Sequence, residues 1–149
     1  MVLRAATPVV SMDKVPPADT SAYRPVVLVV DDESAIADTL TEILSRNGYA
    51  AMTAYDGNEA METALVTPPE MLITDVMLPG MSGIELAIKM RRIFPDCKIL
   101  LFSGQAATVD LLATARGTGH HFNLIHKPVH PKELLMRVAE SLAQTAAVV

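Results

Sequence analysis

The sequence holds one cysteine, Cys97, among 149 residues, so no disulfide can form within the chain. Such poverty in cysteine fits a reducing compartment and leads us to expect a cytoplasmic protein. A redox or catalytic thiol is the weaker reading of Cys97, because a small side chain packing at the start of a strand accounts for it without chemistry. Long apolar runs are also missing. Val26–Val30 is among the longest and spans five residues, whereas a bilayer-crossing helix needs roughly 20, so no membrane span is expected. The opening Met1-Val2-Leu3-Arg4-Ala5-Ala6 lacks a sustained apolar stretch and does not read as a secretory signal. Positive charge is scarce: 12 Lys plus Arg stand against 17 Asp plus Glu, a net charge of −5, with no basic block. Neutralising nucleic-acid phosphates takes clustered cations, so direct nucleic-acid binding is not expected.

Half of the residues are hydrophobic, and the length suits one domain with one core. Residues 1–24 carry Pro8, Pro16 and Pro17 with Ser, Thr and Asp between them and show no period. They predict a flexible N-terminal arm, within which Met12 offers an alternative start. The folded part is expected over 25–145, with 146–149 as a short tail.

From Val26 onward, short apolar runs alternate with helical patterns, the signature of βαβ units and a parallel sheet. Val26–Val30 is apolar throughout, as suits a central strand covered on both faces. A helix follows, capped by Ser34, with Ile36, Leu40, Ile43 and Leu44 on one stripe and Gly48 at its stop. A weaker strand is expected near 49–54. Asn58 then opens a short helix carrying Met61, Ala64 and Leu65, closed by Pro68-Pro69. The third strand is Met71–Asp75. Ser82 and Glu85 have capping-box spacing ahead of a helix with Leu86, Met90, Ile93 and Phe94 inward. Lys98–Ser103 reads as the fourth strand, 107–116 as a helix, and 122–126 as the fifth strand. Pro131 suits the first turn of a last helix bearing Leu134, Leu135, Val138 and Leu142. Five strands alternating with five helices predict an α/β, three-layer αβα sandwich, and right-handed crossovers restrict its topology to a few doubly wound orders.

Ligands of such sheets bind beyond the carboxyl ends of the strands. Asp31 and Asp32 end the first strand, Asp75 the third and Ser103 the fourth, and Lys127 follows the fifth. Three carboxylates brought together must shift their pKa values or find a cation, and Mg2+ is the natural hard-ion partner for oxygen ligands. With the Lys127 ammonium and the Ser103 hydroxyl, these groups describe a site for a phosphoryl group, with Asp75 as nucleophile. Taken singly, each has a plainer reading: a helix cap for Asp31, a turn residue for Asp75, a strand-end hydroxyl for Ser103, a solvated charge for Lys127. Jointly, their order along the strand ends argues for the site. His120, His121, His126 and His130 do not predict a metal cluster, since His126 and His130 flank Lys127-Pro128 without ligand spacing.

Val29-Val30-Asp31-Asp32, Ile73–Gly83, Leu101-Phe102-Ser103-Gly104 and His126-Lys127-Pro128 together resemble the receiver domains of two-component response regulators, including the single-domain chemotaxis (CheY-like) type. The resemblance covers about residues 25–145. It implies a flavodoxin-like five-stranded sheet of order 2-1-3-4-5 and Mg2+-dependent phosphoryl transfer onto Asp75 from a histidine kinase or a histidine phosphotransfer protein. It further implies that Asp32 ligates Mg2+ directly, Asp31 mostly through water, and Asp75 and the Met77 backbone carbonyl complete the shell. Ser103 and Lys127 would contact the phosphoryl group, and the Lys127–Pro128 bond would be cis. A downstream protein would read the face of helix four, strand five and helix five; a homodimer is also compatible. Because only a few residues follow the last helix, no attached output domain is expected.

The sequence departs from that family at two positions. Three residues before Lys127 stands Leu124, where the family commonly has an aromatic residue whose rotamer couples to the hydroxyl; Phe122, two residues earlier on the same face, is a weaker candidate for that part than for plain core packing. Met77 is apolar where some relatives carry a polar side chain. Two other classes compete. An aspartyl phosphatase usually needs a second Asp two residues after the nucleophile, where this chain has Met77. A lapsed interaction module is disfavoured by the intact Asp31, Asp32, Asp75, Ser103 and Lys127.

Overall fold

The computed structural model describes residues 23–104 and 108–144. The elements run β1 (Val26–Val30), α1 (Ser34–Arg46), β2 (Ala50–Ala54), α2 (Gly57–Val66), β3 (Met71–Asp75), α3 (Gly83–Ile93), β4 (Lys98–Ser103), α4 (Thr108–Gly117), β5 (Asn123–His126) and α5 (Pro131–Ala143). All strand pairs are parallel and lie in the order β2-β1-β3-β4-β5, the expected 2-1-3-4-5.

Alternation along each strand explains the three layers, because successive side chains point to opposite faces of the sheet. Val27, Val29, Met71, Ile73, Leu100, Phe102 and Ile125 point to one face and pack on Leu40 and Leu44 of α1 and Leu134 and Val138 of α5. Leu28, Val30, Leu72, Ile99 and Leu101 point to the other and meet Ala60 and Ala64 of α2, Leu86 and Met90 of α3, and Leu112 and Ala115 of α4. The central β3 is buried at every position, so its run of apolar residues has no solvent face to alternate with. Burying one such Leu or Ile side chain contributes about 1.5–3 kcal/mol. Cys97 packs into the second cluster just ahead of β4.

Several local expectations are corrected. The residue capping α1 is Glu33 and not Ser34, and its side chain makes no cap hydrogen bond. Asp56 rather than Asn58 caps α2, since its Oδ1 accepts from the Glu59 backbone N–H at 2.8 Å and sets the helix start one residue earlier, at Gly57. Ile93, expected inward, is exposed, as is Leu65, each standing within the last two residues of its helix. Ser82 and Glu85 form the full capping box, and Gly48 ends α1 with φ +100°, a left-handed conformation that suits glycine.

Residues 1–22 of the expected arm, residue 145 of the expected domain and the expected tail 146–149 lie outside the described residues. Tyr23 and Arg24 are tied to the domain: the Tyr23 hydroxyl donates to Glu70, and the Arg24 guanidinium donates to the carbonyls of Ser45 and Tyr49. Among the described residues no helix is long and apolar enough to cross a membrane.

Candidate functional site

Strand register brings the polar strand ends together. β1 and β3 are neighbours with Val30 beside Thr74, so Asp31 and Asp75 leave the sheet side by side. On the other side of β3, Asp75 pairs with Phe102, and Ser103 pairs with His126, one residue before Lys127. The Lys127 backbone N–H donates to the Ser103 carbonyl at 3.0 Å, carrying the pairing one step past the end of β5. Asp31, Asp75 and Ser103 are buried, whereas Asp32 is exposed at the mouth.

One carboxylate oxygen from each of Asp31, Asp32 and Asp75 lies within 4.8 Å of the others. The Lys127 ammonium bridges two of them, with Nζ 3.0 Å from Asp75 Oδ2 and 3.2 Å from Asp31 Oδ2. It also stands 5.1 Å from the centre of the Phe102 ring, a cation–π distance. One ammonium among three carboxylates leaves an excess of negative charge. Burial pushes the Asp31 carboxyl above the usual range and the Asp75 charge adds to this, while the Glu33 N–H and Lys127 partly oppose it. Burial by itself would lower the Lys127 pKa, but hydrogen bonds and charge from Asp75 and Asp31 outweigh it and raise it, so the side chain stays an ammonium.

This donor set fits a hard divalent cation. Mg2+ holds its ligands at 2.0–2.1 Å in an octahedron, which spaces neighbouring oxygens about 3 Å and opposite ones about 4 Å apart. The three carboxylates need only a small contraction from 4.8 Å to reach that geometry. They are the one His/Cys/Asp/Glu group of this kind among the described residues, and none of the histidines belongs to it. His130 is instead the cap of α5, its Nδ1 accepting from the Lys132 N–H at 3.2 Å.

The loop after β3 is shaped around the Asp75 backbone. Met77 donates its N–H to Asp75 Oδ1 at 3.3 Å, and its side chain is exposed. The Gly83 N–H donates to the Val76 carbonyl at 2.8 Å. A Cβ on Gly83 would stand 1.9 Å from the Asp75 carbonyl oxygen, an impossible contact, so only glycine lets the start of α3 approach this closely. Gly80, with φ +80°, supplies the turn between them. The Lys127–Pro128 peptide is cis.

Leu124 sits two residues below the rim on β5, paired with Leu101, and packs its side chain against the core on the α4 side. Its carbonyl accepts from Arg137 of α5 at 3.0 Å. Phe122 lies two residues further down, so about 13 Å of strand separates it from the level of Ser103. Its ring is engaged elsewhere, with the Arg91 guanidinium 5.2 Å from its centre and the His120 ring stacked at 6.2 Å. Two contributors escaped the sequence reading. Phe102 underlies the ammonium, signalled only by strand alternation, and Glu33 reaches it from α1, with Oε1 3.6 Å from Lys127 Nζ. Beside Lys127 runs a groove of about 560 Å³ lined by Ala35, Ile36, Thr39, Leu40, Pro128 and Val129.

The family model "Response regulator receiver domain" matches residues 27–139. Among solved structures, a CheY-like receiver domain protein from Methanospirillum hungatei JF-1 is 29% identical, with 80% of this chain and 94% of that one covered and a TM-score of 0.73. A two-component transcriptional regulator AraC from Clostridium phytofermentans ISDg is 30% identical over 79% of this chain and 91% of that one, at a TM-score of 0.68. The Vibrio cholerae chemotaxis protein CheY4 is 26% identical, with 80% and 99% covered and a TM-score of 0.71. With an acidic cluster at the strand ends, a lysine bridging two of its carboxylates and a family match over most of the chain, this protein belongs to the receiver domains of two-component response regulators.

Proposed function

We propose that Asp75 is the phosphoacceptor of this receiver and takes its phosphoryl group from a phosphohistidine of a histidine kinase or a histidine phosphotransfer protein. The observation that carries this reading is the Lys127 ammonium at 3.0 Å from Asp75 Oδ2, set among the carboxylates of Asp31, Asp32 and Asp75. A carboxylate oxygen of Asp75 attacks phosphorus, the P–N bond to the donor imidazole breaks, and the imidazole leaves with the electron pair. Charge grows on the equatorial phosphoryl oxygens as this happens, and Lys127 stands ready to neutralise it. The buried Ser103 hydroxyl, at the end of the adjacent strand, offers a hydrogen bond to the same oxygens. Asp31, Asp32, Asp75 and the Met77 carbonyl would hold Mg2+, which when bound supplies positive charge to the acid cluster and the phosphoryl oxygens. The apolar groove between α1 and the turn after β5 lies beside Lys127 and gives a donor protein a surface next to the reacting atoms.

The domain acts as a switch and not as an enzyme with turnover on other molecules. A phosphoryl group on Asp75 adds about two negative charges at neutral pH, drawing Lys127 and Ser103 toward it. Lys127 is bonded through its backbone to Ser103, and Leu124 through its carbonyl to Arg137, so movement at the rim reaches α5 along β5. A protein target then reads the face formed by α4, β5 and α5, and a homodimer could use it too. Leu124 makes an aromatic rotamer unavailable to this switch, and Phe122 is too far down the strand to replace it. An aspartyl phosphatase is disfavoured because Met77 offers no carboxyl as general acid.

Incubation with Mg2+ and acetyl phosphate followed by intact-mass measurement tests the reading. A single phosphate adduct is expected, absent from Asp75→Asn. An adduct that persists in that variant, or none on the wild type, overturns it.

A further inference from the structure

An ammonium has three N–H donors, and three carboxylates face the Lys127 ammonium. Asp75 and Asp31 are the near ones at 3.0 and 3.2 Å, and Glu33 Oε1 is the third at 3.6 Å. Glu33 occupies the N-cap of α1, where Ser, Thr, Asp and Asn are preferred because their short side chains reach back to the first free N–H groups. Glu33 makes no such bond. Its backbone is nonetheless held in place, since its N–H donates to Asp31 Oδ1 at 2.9 Å. The residue therefore forgoes the usual benefit of its position while its longer side chain spans to the lysine. A local rule set aside at the edge of a site points to a role in that site.

We propose that Glu33 is a positioning residue that acts through Lys127, holding the ammonium on the α1 side of the pocket until a phosphoryl group arrives on Asp75. This rests on the reading of Asp75 as phosphoacceptor. In the unmodified site the ammonium is shared among three carboxylates. A phosphoryl group presents stronger acceptor oxygens next to Asp75, and Lys127 has to give up part of its Glu33 contact to reach them. The Glu33 charge also repels the incoming dianion. Both effects weight the equilibrium toward the unmodified arrangement, so Glu33 sets how readily the switch is thrown without touching the reacting atoms.

Beryllofluoride, a tetrahedral mimic of the phosphoryl group, provides the test on the full chain in saturating Mg2+, with bound and free fluoride followed by fluorine NMR. Glu33→Gln removes the charge, and Glu33→Asp keeps it but withdraws it by one methylene and can cap the helix. Because exposed ion pairs are weak, beryllofluoride is expected to bind about two- to fivefold more tightly to Glu33→Gln. Glu33→Asp should approach the same affinity, and the Lys127 ammonium nitrogen resonance should move in both unliganded variants. Glu33→Asp matching the wild type would show that charge alone matters, and it overturns the positioning role, as does an unmoved lysine resonance. A wild type that binds beryllofluoride as tightly as Glu33→Gln overturns the inference while leaving Asp75 its role. No binding by the wild type at all removes the phosphoacceptor reading itself, and this inference with it.

Discussion

The two ends of the sheet are built to opposite rules. Where the strands finish, Asp31, Asp75 and Ser103 are buried polar groups gathered around Lys127, with like charges held close together. Where the strands begin, the loops carry Pro68, Pro69, Phe94, Pro95 and Cys97, and Glu70 is satisfied by Tyr23 and the Val26 N–H. One end holds a buried carboxyl, Asp31, whose charged form burial disfavours; the other spends its residues on turns and packing. Ligands of α/β sheets bind beyond the carboxyl ends of the strands, and it is at such sites that a fold departs from its local rules.

Substitutions at each end should separate these roles. The largest effect is expected at Asp75: Asp75→Asn leaves the fold intact by circular dichroism yet abolishes the phosphate adduct. Lys127→Met, at the same rim, should slow adduct formation by about 10²-fold or more through loss of the charge facing the transferring oxygens; a rate within twofold of wild type in acetyl phosphate and Mg2+ would break the claim that this ammonium assists transfer. Gly83→Ala, by contrast, should act through the fold, because its methyl cannot coexist with the Asp75 carbonyl. A loss of about 3 kcal/mol or more in urea unfolding is expected, as for other strained backbone contacts.

A smaller and opposite effect is expected at Asp31. Its folded pKa is raised, so the ionised form is less favourable in the folded than in the unfolded chain. This penalty is absent below the unfolded value of 3.8, develops as pH rises above it and is complete once pH has passed the raised folded value. In EDTA at pH 7, Asp31→Asn should therefore raise the thermal midpoint by a few degrees, and added Mg2+ should stabilise the wild type but not the variant. A lower midpoint for the variant in EDTA would show that the Lys127 pairing outweighs the burial cost. The smallest signal belongs to the other end, where burial pushes the Cys97 thiol up to about 12. Its labelling by a disulfide reagent at pH 8 should follow the rate of opening of the domain, and rapid labelling of the folded protein would contradict that burial.

The strands were the most legible part of the chain. β1, β3 and β4 have the bounds their apolar runs predict, because a strand covered on both faces needs a largely apolar run and ends where polar residues take over. Helix starts were less legible. Whether Asp56 or Asn58 caps α2, and whether Glu33 or Ser34 precedes α1, depends on which side chain reaches a free N–H, a matter of ångströms that spacing does not resolve. The acids, Ser103 and Lys127 were readable as a set through their places at strand ends. Phe102 and Glu33 were not, since nothing in the pattern says that one ring and one carboxylate converge on the same ammonium.

The order of apolar runs and turns by itself determined an alternating α/β domain with its polar residues at one edge, since burial demands that pattern from any parallel sheet covered on both sides. Only the tertiary structure decided what those residues do to one another. Asp31 and Lys127 are 96 positions apart in the chain yet 3.2 Å apart in space, and the interaction between charges depends on that second distance and on the burial around them, not on separation along the chain.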